Sequence, residues 1–374
     1  MTITDTGQEV IEVVVSDSRR SPAERAALMQ DPGFGRVHTD HMVSVRWTEE
    51  RGWHDATLSA YAPLQLDPSA MVLHYGQAIF EGLKGYRQPD GGVAVFRPQE
   101  NARRFNRSAQ RLAMPELPEE LFVAAVEQLV EVDVDWVPTA AGQSLYLRPF
   151  MIATEAQVGM RPAHEYLFLL IAFPVTPFFP GEVRPVTVWL SEEYIRAAVG
   201  GTGEAKCGGN YAGSLLAQRQ AAEKGCDQVV WLDAVERRWV EEMGGMNLFF
   251  VFGGTDGRAA RLLTPALTGT LLPGVVRDSL LTLAPELGLG LEVEEGRISV
   301  DEWRSGCADG SLTEVFACGT AAVVAPVGRA KCTTGEWQIG NGQPGPVTMA
   351  LREALLDRQY GRIPDTHEWM HRIG

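Results

Sequence analysis

The chain has 374 residues, of which 45% are apolar and 22% charged, and a net charge of −15. Its length exceeds one ordinary domain, and the apolar share suffices for a packed core without metal or disulfide staples, so two domains are expected. So acidic a balance argues against a nucleic-acid partner, which needs a basic surface to displace counterions.

The five cysteines, Cys207, Cys226, Cys307, Cys318 and Cys332, are scattered and form no CxxC pair. Neither a zinc site nor a disulfide framework is expected. The opening MTITDTGQEV lacks the basic and apolar pattern of a signal peptide. No apolar run approaches the roughly 20 residues that span a bilayer. The expected compartment is a reducing cytoplasm.

In chain order, residues 1–40 are polar with little periodicity and are expected to wrap over the surface as an extension. A small α/β domain is expected over 41–174. Within it, VLHYGQAIFEGLKGYR leads to QPDGG, whose turn residues predict a hairpin into VAVFRP. Pro98 suits the first turn of a helix ending near Met114, and a second amphipathic helix is predicted from about Glu119 to Val132. Strands follow around Leu145–Ile152 and Tyr166–Phe173. The stretch PVTPFFPGEVRP, with Pro174, Pro177, Pro180 and Pro185, predicts an inter-domain loop over 175–185. Beyond it, over 186–374, strand-like runs at VTVWL, QVVWL, WVEE, NLFFVF and EVFACG alternate with helices near Tyr211–Lys224, Val275–Leu287 and Pro346–Gln359. The fold class is therefore α/β (α+β), in two domains.

Four segments can carry chemistry. VGGTGEAKCGGNYAGS surrounds Lys206 with glycines, which permit close backbone approach to a ligand. It matches neither GxxxxGK[ST] nor GxGxxG, and alone it reads equally as a surface loop with a solvated lysine. In WVEEMGGMNLFFVF, Glu241 and Glu242 are adjacent in a strand and so point to opposite faces. LLPGVVRDSL starts a helix whose first N–H groups, at Val275 and Val276, can face an anion. In VFACGTAAVVAPV, the Thr320 hydroxyl follows a strand and a glycine. Two further patterns read as bland. The arginine-rich FRPQENARRFNRSAQR predicts a helix with a solvated basic face, with room for one buried arginine. HEWMH at 367–371 is a literal HExxH, but it follows Ile363-Pro364-Asp365 and no metal is expected there.

Together, LHYGQAIFEGLKGYR, SLYLRPF, KCGGNY, EEMGGMNLF, LLPGVVRDSL, CGTAAVVAPV and HEWM resemble the branched-chain amino acid aminotransferases of the fold-type-IV pyridoxal-phosphate enzymes, from about Arg46 onward. The resemblance implies a smaller N-terminal α/β domain and a larger C-terminal pseudo-barrel domain that binds pyridoxal 5′-phosphate. It also implies transamination of leucine, isoleucine and valine with 2-oxoglutarate, by a ping-pong cycle. Lys206 matches the family's Schiff-base and proton-shuttling lysine, Glu242 the carboxylate on the pyridine nitrogen, and Tyr211 the phenol on the ring hydroxyl. Arg104 matches the phosphate arginine, joined by Val275, Val276 and Thr320, while Leu272 packs on the ring face. For the substrate, the resemblance implies a pocket of Phe80, Tyr146, Phe178 and Met246. Arg148 is implied for the side-chain carboxylate of glutamate, and the Thr320–Ala321 turn for the α-carboxylate. Tyr75, Val158 and Met160 match positions that relatives lend to a neighbouring subunit, which implies a homodimer.

The sequence departs from the family at three places. Gly245 stands where many relatives carry Thr or Ala, Phe178 where Tyr is frequent, and Ala322-Val323-Val324-Ala325 replaces the CxxC pair of the mammalian enzymes. Three alternatives stay open: a D-amino-acid aminotransferase, an aminodeoxychorismate lyase of the same fold type, and a non-catalytic binding protein on this scaffold.

Overall fold

The computed structural model describes residues 10–179, 181–253 and 260–374. The start of the expected surface extension and Pro180 of the proline-rich stretch lie outside the described residues. The chain divides into two compact units, Met1–Pro177 with Ala205–Gly208 and Arg358–Gly374, and Phe178–Glu204 with Gly209–Asp357. Lys206 thus sits in a four-residue excursion that is counted with the first unit.

The first unit is built on a nine-stranded sheet. Its strand order is Glu12–Val13, Gly52–Ala60, His41–Thr48, Glu165–Val175, Ser144–Ala153, Leu83–Arg87, Val93–Phe96 and Met370–Ile373, with Ala78–Phe80 also paired to Ser144–Ala153. The QPDGG hairpin forms as its turn chemistry predicts, with Asp90 Oδ1 accepting from the Gly92 N–H at 3.0 Å. Helices Pro98–Arg111 and Glu119–Val132 pack on the sheet. Ala102, Phe105 and Ala109 recur at helical spacing on one buried face. Phe105 and Phe122 meet Phe168 of the sheet at ring-centroid distances of 5.7 and 6.2 Å.

Within residues 10–40, expected as polar covering, the structure forms the helix Pro22–Gln30, none of it buried. Ser21 and Glu24 close a capping box around its start. That signal is present in SPAE, but hydrophobic periodicity passes over it. HEWMH leads from a turn into the strand Met370–Ile373, which is not the helical setting of a zincin; His371 Nε2 faces Glu127 at 2.6 Å.

The second unit closes a ring of six strands: Val240–Met243, Gln228–Leu232, Val186–Ser191, Val323–Cys332, Leu312–Gly319 and Met246–Phe252, the last pairing back onto the first. Alternation fills its interior, with Val188 and Leu190, Val230 and Leu232, Leu248 and Phe250, and Ala325 and Val327 in one apolar cluster. Val229 and Trp231, pointing the other way, pack on Ala217 and Ala221. The stretch expected as one helix over Tyr211–Lys224 is two, Gly208–Ala212 and Leu215–Glu223. The Ser214 hydroxyl donates to the Tyr211 carbonyl at 2.7 Å, ending the first turn of helix there. Among the described residues no helix is long and apolar enough to cross a membrane.

One turn of this unit is organised by a single carboxylate. Asp233 accepts the backbone N–H groups of Val235, Glu236, Arg238 and Trp239 at 2.7–3.0 Å. Partial burial pushes its carboxyl up, but these four donors outweigh that and hold it at about 2. A depressed folded-state value means stability that is present near neutrality and lost as pH falls through the range from about 4 towards 2. Asp233→Ala is therefore expected to unfold at a lower temperature than the wild type at pH 7. Thermal melts across pH should show that gap narrowing below pH ~4; a constant gap would contradict the assignment.

Candidate active site

Lys206 is held by its backbone. Its N–H donates to the Ser108 hydroxyl at 2.9 Å, its carbonyl accepts from the Phe80 N–H at 3.0 Å, and Cys207 bridges to Ile79. The Gly-rich segment is thereby fixed against the strand Ala78–Phe80 and the helix Pro98–Arg111 at the point where the lysine leaves the chain. The Lys206 Nζ lies 4.7 Å from the centre of the Phe80 ring. One helical turn before Ser108 stands Arg104, whose carbonyl accepts from the same Ser108 hydroxyl at 3.1 Å. Arg103, Arg107 and Arg111 of that helix are exposed, whereas Arg104 is 4% exposed. Its Nε and Nη2 grip the two oxygens of buried Glu81 at 2.7 and 2.8 Å. Neither Ser108 nor Glu81 is marked by sequence spacing, because both act across long stretches of chain.

Phe80, Tyr146 and Arg148 come together in the same unit. The Arg148 guanidinium lies 5.0 Å from the Phe80 ring centre and 5.4 Å from that of Tyr146. Tyr146 is stacked on Phe173 at 5.1 Å, and its hydroxyl lies where a Cβ at Gly82 would be, 2.0 Å away. Gly82 is therefore the residue that lets Tyr146 reach this position. Tyr75, Val158 and Met160 stand apart from this cluster on the surface, with Met160 90% exposed.

In the second unit, Glu242 is 1% exposed at the ring-closing strand pair. Its Oε1 accepts the Leu272 N–H at 2.5 Å and the Asn247 amide at 3.5 Å, and Arg196 Nε lies 3.2 Å from Oε2. Asn247 also donates to the Leu272 carbonyl at 3.1 Å, locking that residue beside the carboxylate. Two residues on, Gly274 caps the helix Val275–Glu286 with no side-chain hydrogen bond. The helix begins with the buried Val275 and Val276. A Cβ on Gly274 would fall 2.1 Å from Asn247 Oδ1, so only glycine fits. Thr320 and Ala321 lie in the turn between Leu312–Gly319 and Val323–Cys332, and the Met246 side chain packs against Gly319 at its base, 3.2 Å from where a Cβ would stand. Tyr211 lies over Gly245, 3.3 Å from a would-be Cβ, which gives the glycine at that departure a steric role. Phe178 is 43% exposed and edge-on to Phe179. Arg196 went unmarked in the sequence, which gives no spacing cue for it. No cluster of metal-ligating side chains occurs among the described residues.

Residues 78–330 match the family Amino-transferase class IV. The chain belongs to this family. It is 60% identical over 352 residues to the branched-chain-amino-acid aminotransferase of Mycolicibacterium smegmatis, covering 94% of this chain and 95% of that protein. It is 58% identical over 364 residues to a probable branched-chain-amino-acid aminotransferase of Streptomyces coelicolor, covering 97% and 98%. The crystal structure of a T.th. branched-chain amino acid aminotransferase with pyridoxamine 5′-phosphate superposes with a TM-score of 0.70 at 29% identity, over 89% of this chain and 99% of that one. The aminotransferases of this family act on small amino-acid substrates, and the six-stranded ring with its flanking elements is their fold type.

The two glycines of the Glu242 wall make a steric contrast. Gly274→Ala forces Asn247 aside and is expected to destabilise the protein by about 1–3 kcal/mol. Gly245→Ala meets only the Tyr211 ring edge at 3.3 Å and is expected to cost less than about 1 kcal/mol. Denaturant unfolding of both variants checks the order, and equal losses would contradict it.

Proposed function

We propose that the protein transfers the amino group of L-leucine, L-isoleucine and L-valine to 2-oxoglutarate in a ping-pong cycle, with pyridoxal 5′-phosphate as its cofactor. The donor set suits that cofactor: a lysine amine, a phenol, a buried carboxylate and three anion-binding elements. When bound, the cofactor supplies an aldehyde for an amine and a ring that takes up electrons. Lys206 would hold the aldehyde carbon and carry the proton to and from the substrate Cα, its backbone staying fixed through Ser108 and Phe80. Glu242 would keep a proton on the ring nitrogen, with Arg196 supplying the balancing charge. Tyr211 would orient the ring hydroxyl, and Leu272 would cover a ring face.

The phosphate would be shared by Arg104, the N–H groups of Val275 and Val276, and the Thr320 hydroxyl. Glu81 holds Arg104 by its Nε–Nη2 edge and so fixes the guanidinium for that contact. Met246, Phe178 and the Thr320–Ala321 turn would complete the substrate pocket. A second copy of the chain would cover Tyr75, Val158 and Met160, an exposed apolar group of the kind that subunit contacts bury. The free cysteines suit a reducing cytoplasm, where we place the enzyme.

Arg148 carries the substrate assignment. Among the described residues its guanidinium has no ion pair, and its buried Nε has no hydrogen-bond partner. It lies against two aromatic rings, so an aliphatic side chain finds apolar walls in the same place where a carboxylate finds a cation. That is what a site alternating between leucine and glutamate requires. Selectivity among the three branched donors should be broad, since one methylene is worth only about 1–3 kcal/mol.

Arg148→Met keeps the apolar wall and removes the charge. It is expected to weaken glutamate and 2-oxoglutarate by ~10–100-fold, the loss of charged hydrogen bonds. The leucine half-reaction should change far less. Single half-reactions with each substrate test this, and equal losses for leucine and glutamate would contradict it. A donor panel run alongside, in which D-alanine turned over and L-leucine did not, would overturn the substrate assignment itself.

A further inference from the structure

The strand Val240–Met243 carries two adjacent buried carboxylates on opposite faces, and only Glu242 has a task so far. Glu241 is 7% exposed and lines a cavity of about 380 Å³ within the second unit. Among the described residues its carboxyl receives one hydrogen bond, from the Thr270 hydroxyl to Oε1 at 2.6 Å, and Oε2 has no protein donor. Burial pushes this carboxyl above the usual carboxylate range and the charge of Asp233 adds to the effect, while Thr270 and Arg196 oppose it. A cation brought to Oε2 relieves both the desolvation and the repulsion.

The rest of the lining narrows the ligand. Asp233 is saturated by its four backbone donors, and Glu236 accepts from Trp239 Nε1 at 3.0 Å. Glu236 is exposed to solvent, so Glu241 is the buried carboxylate of the lining with an oxygen left for an occupant. Val199, Val235, Ala266 and Leu271 offer apolar surface, and Arg297, set 5.5 Å over the Trp239 ring, is the cationic side chain of the lining. We propose that this cavity is a second binding site, separate from the catalytic one, for a small branched alkylammonium compound whose N–H bonds Glu241 Oε2 and whose alkyl group packs on Val199 and Leu271. The site is wired to Glu242. Thr270 donates to Glu241, Leu272 donates to Glu242, and Arg196 both donates to the Thr270 carbonyl at 2.8 Å and pairs with Glu242. An occupant therefore bears on the carboxylate assigned to the ring nitrogen.

The test is calorimetry on the holoenzyme with N,N-dimethylisobutylamine and N,N-dimethyl-L-valine, tertiary amines that cannot condense with an aldehyde. One site per chain is expected for at least one probe, weakened ~10-fold or more by Glu241→Gln. Either probe behaving so supports the site, and the tighter of the two tells an amine from an amino acid. Should Glu241→Gln fail to fold, Val199→Trp at the exposed rim decides, by abolishing binding. No heat from either probe, or unchanged affinity in the variant that folds, overturns the proposal. A shift in cofactor absorbance on binding is a separate readout that rests on the proposed function; the calorimetry does not, so the two can fail independently.

Discussion

A carboxylate taken out of water needs opposite charge and hydrogen-bond donors in place of the solvent it lost. Glu242 is in that position, and much of the second unit answers to it. Arg196 brings the charge, Leu272 and Asn247 bring N–H groups, and the ring-closing pair Glu242↔Asn247 fixes both ends of the arrangement in one sheet. Gly274 follows, because Asn247 fills the space a side chain there would need. The start of the helix at Val275 is thus set, within a few residues of the carboxylate, by the same network. The acceptor proposed for a ring nitrogen and the donors proposed for an anion are built from one piece of packing.

The first unit works differently. The fold fixes Lys206 by its backbone, through Ser108 and Phe80, and in the proposed cycle its amine would move between partners. Ser108 serves two groups at once, accepting from Lys206 and donating to the Arg104 carbonyl. Glu81 then holds Arg104 by one edge, which offsets burial of the guanidinium and aims it. The cluster of Phe80, Tyr146 and Arg148 places apolar and cationic surface together, and leaves the buried Arg148 Nε without a hydrogen-bond partner among the described residues.

Much of this was legible in the sequence where the signal is local. The helix Glu119–Val132, the strands either side of QPDGG and the strand-turn-strand around Glu242 follow from periodicity and turn residues. The opposite orientation of Glu241 and Glu242 follows from strand geometry alone, though not that both are buried. The ion pair of Arg104 with Glu81, 23 residues away, and the bond from Lys206 to Ser108, 98 residues away, have no local period to reveal them. The helix Pro22–Gln30 escaped because none of it is buried, so its sequence shows no apolar stripe. Ring closure depends on a pairing across Gly244, whose φ of 59° suits glycine, and a run of strands in sequence does not say which pair closes.

The charge of Glu242 is the feature on which both the packing and the proposed chemistry turn. Glu242→Gln preserves the size and can keep the Leu272 and Asn247 contacts through its carbonyl oxygen, while removing the charge that faces Arg196. The decisive measurement is the rate of a single half-reaction with L-leucine in this variant, with cofactor content checked by absorbance. The variant is expected to fold and retain cofactor, with a rate lower by ~100-fold or more, the scale of losing a preorganised electrostatic contact. A cofactor-loaded variant with a rate within about twofold of wild type would contradict it.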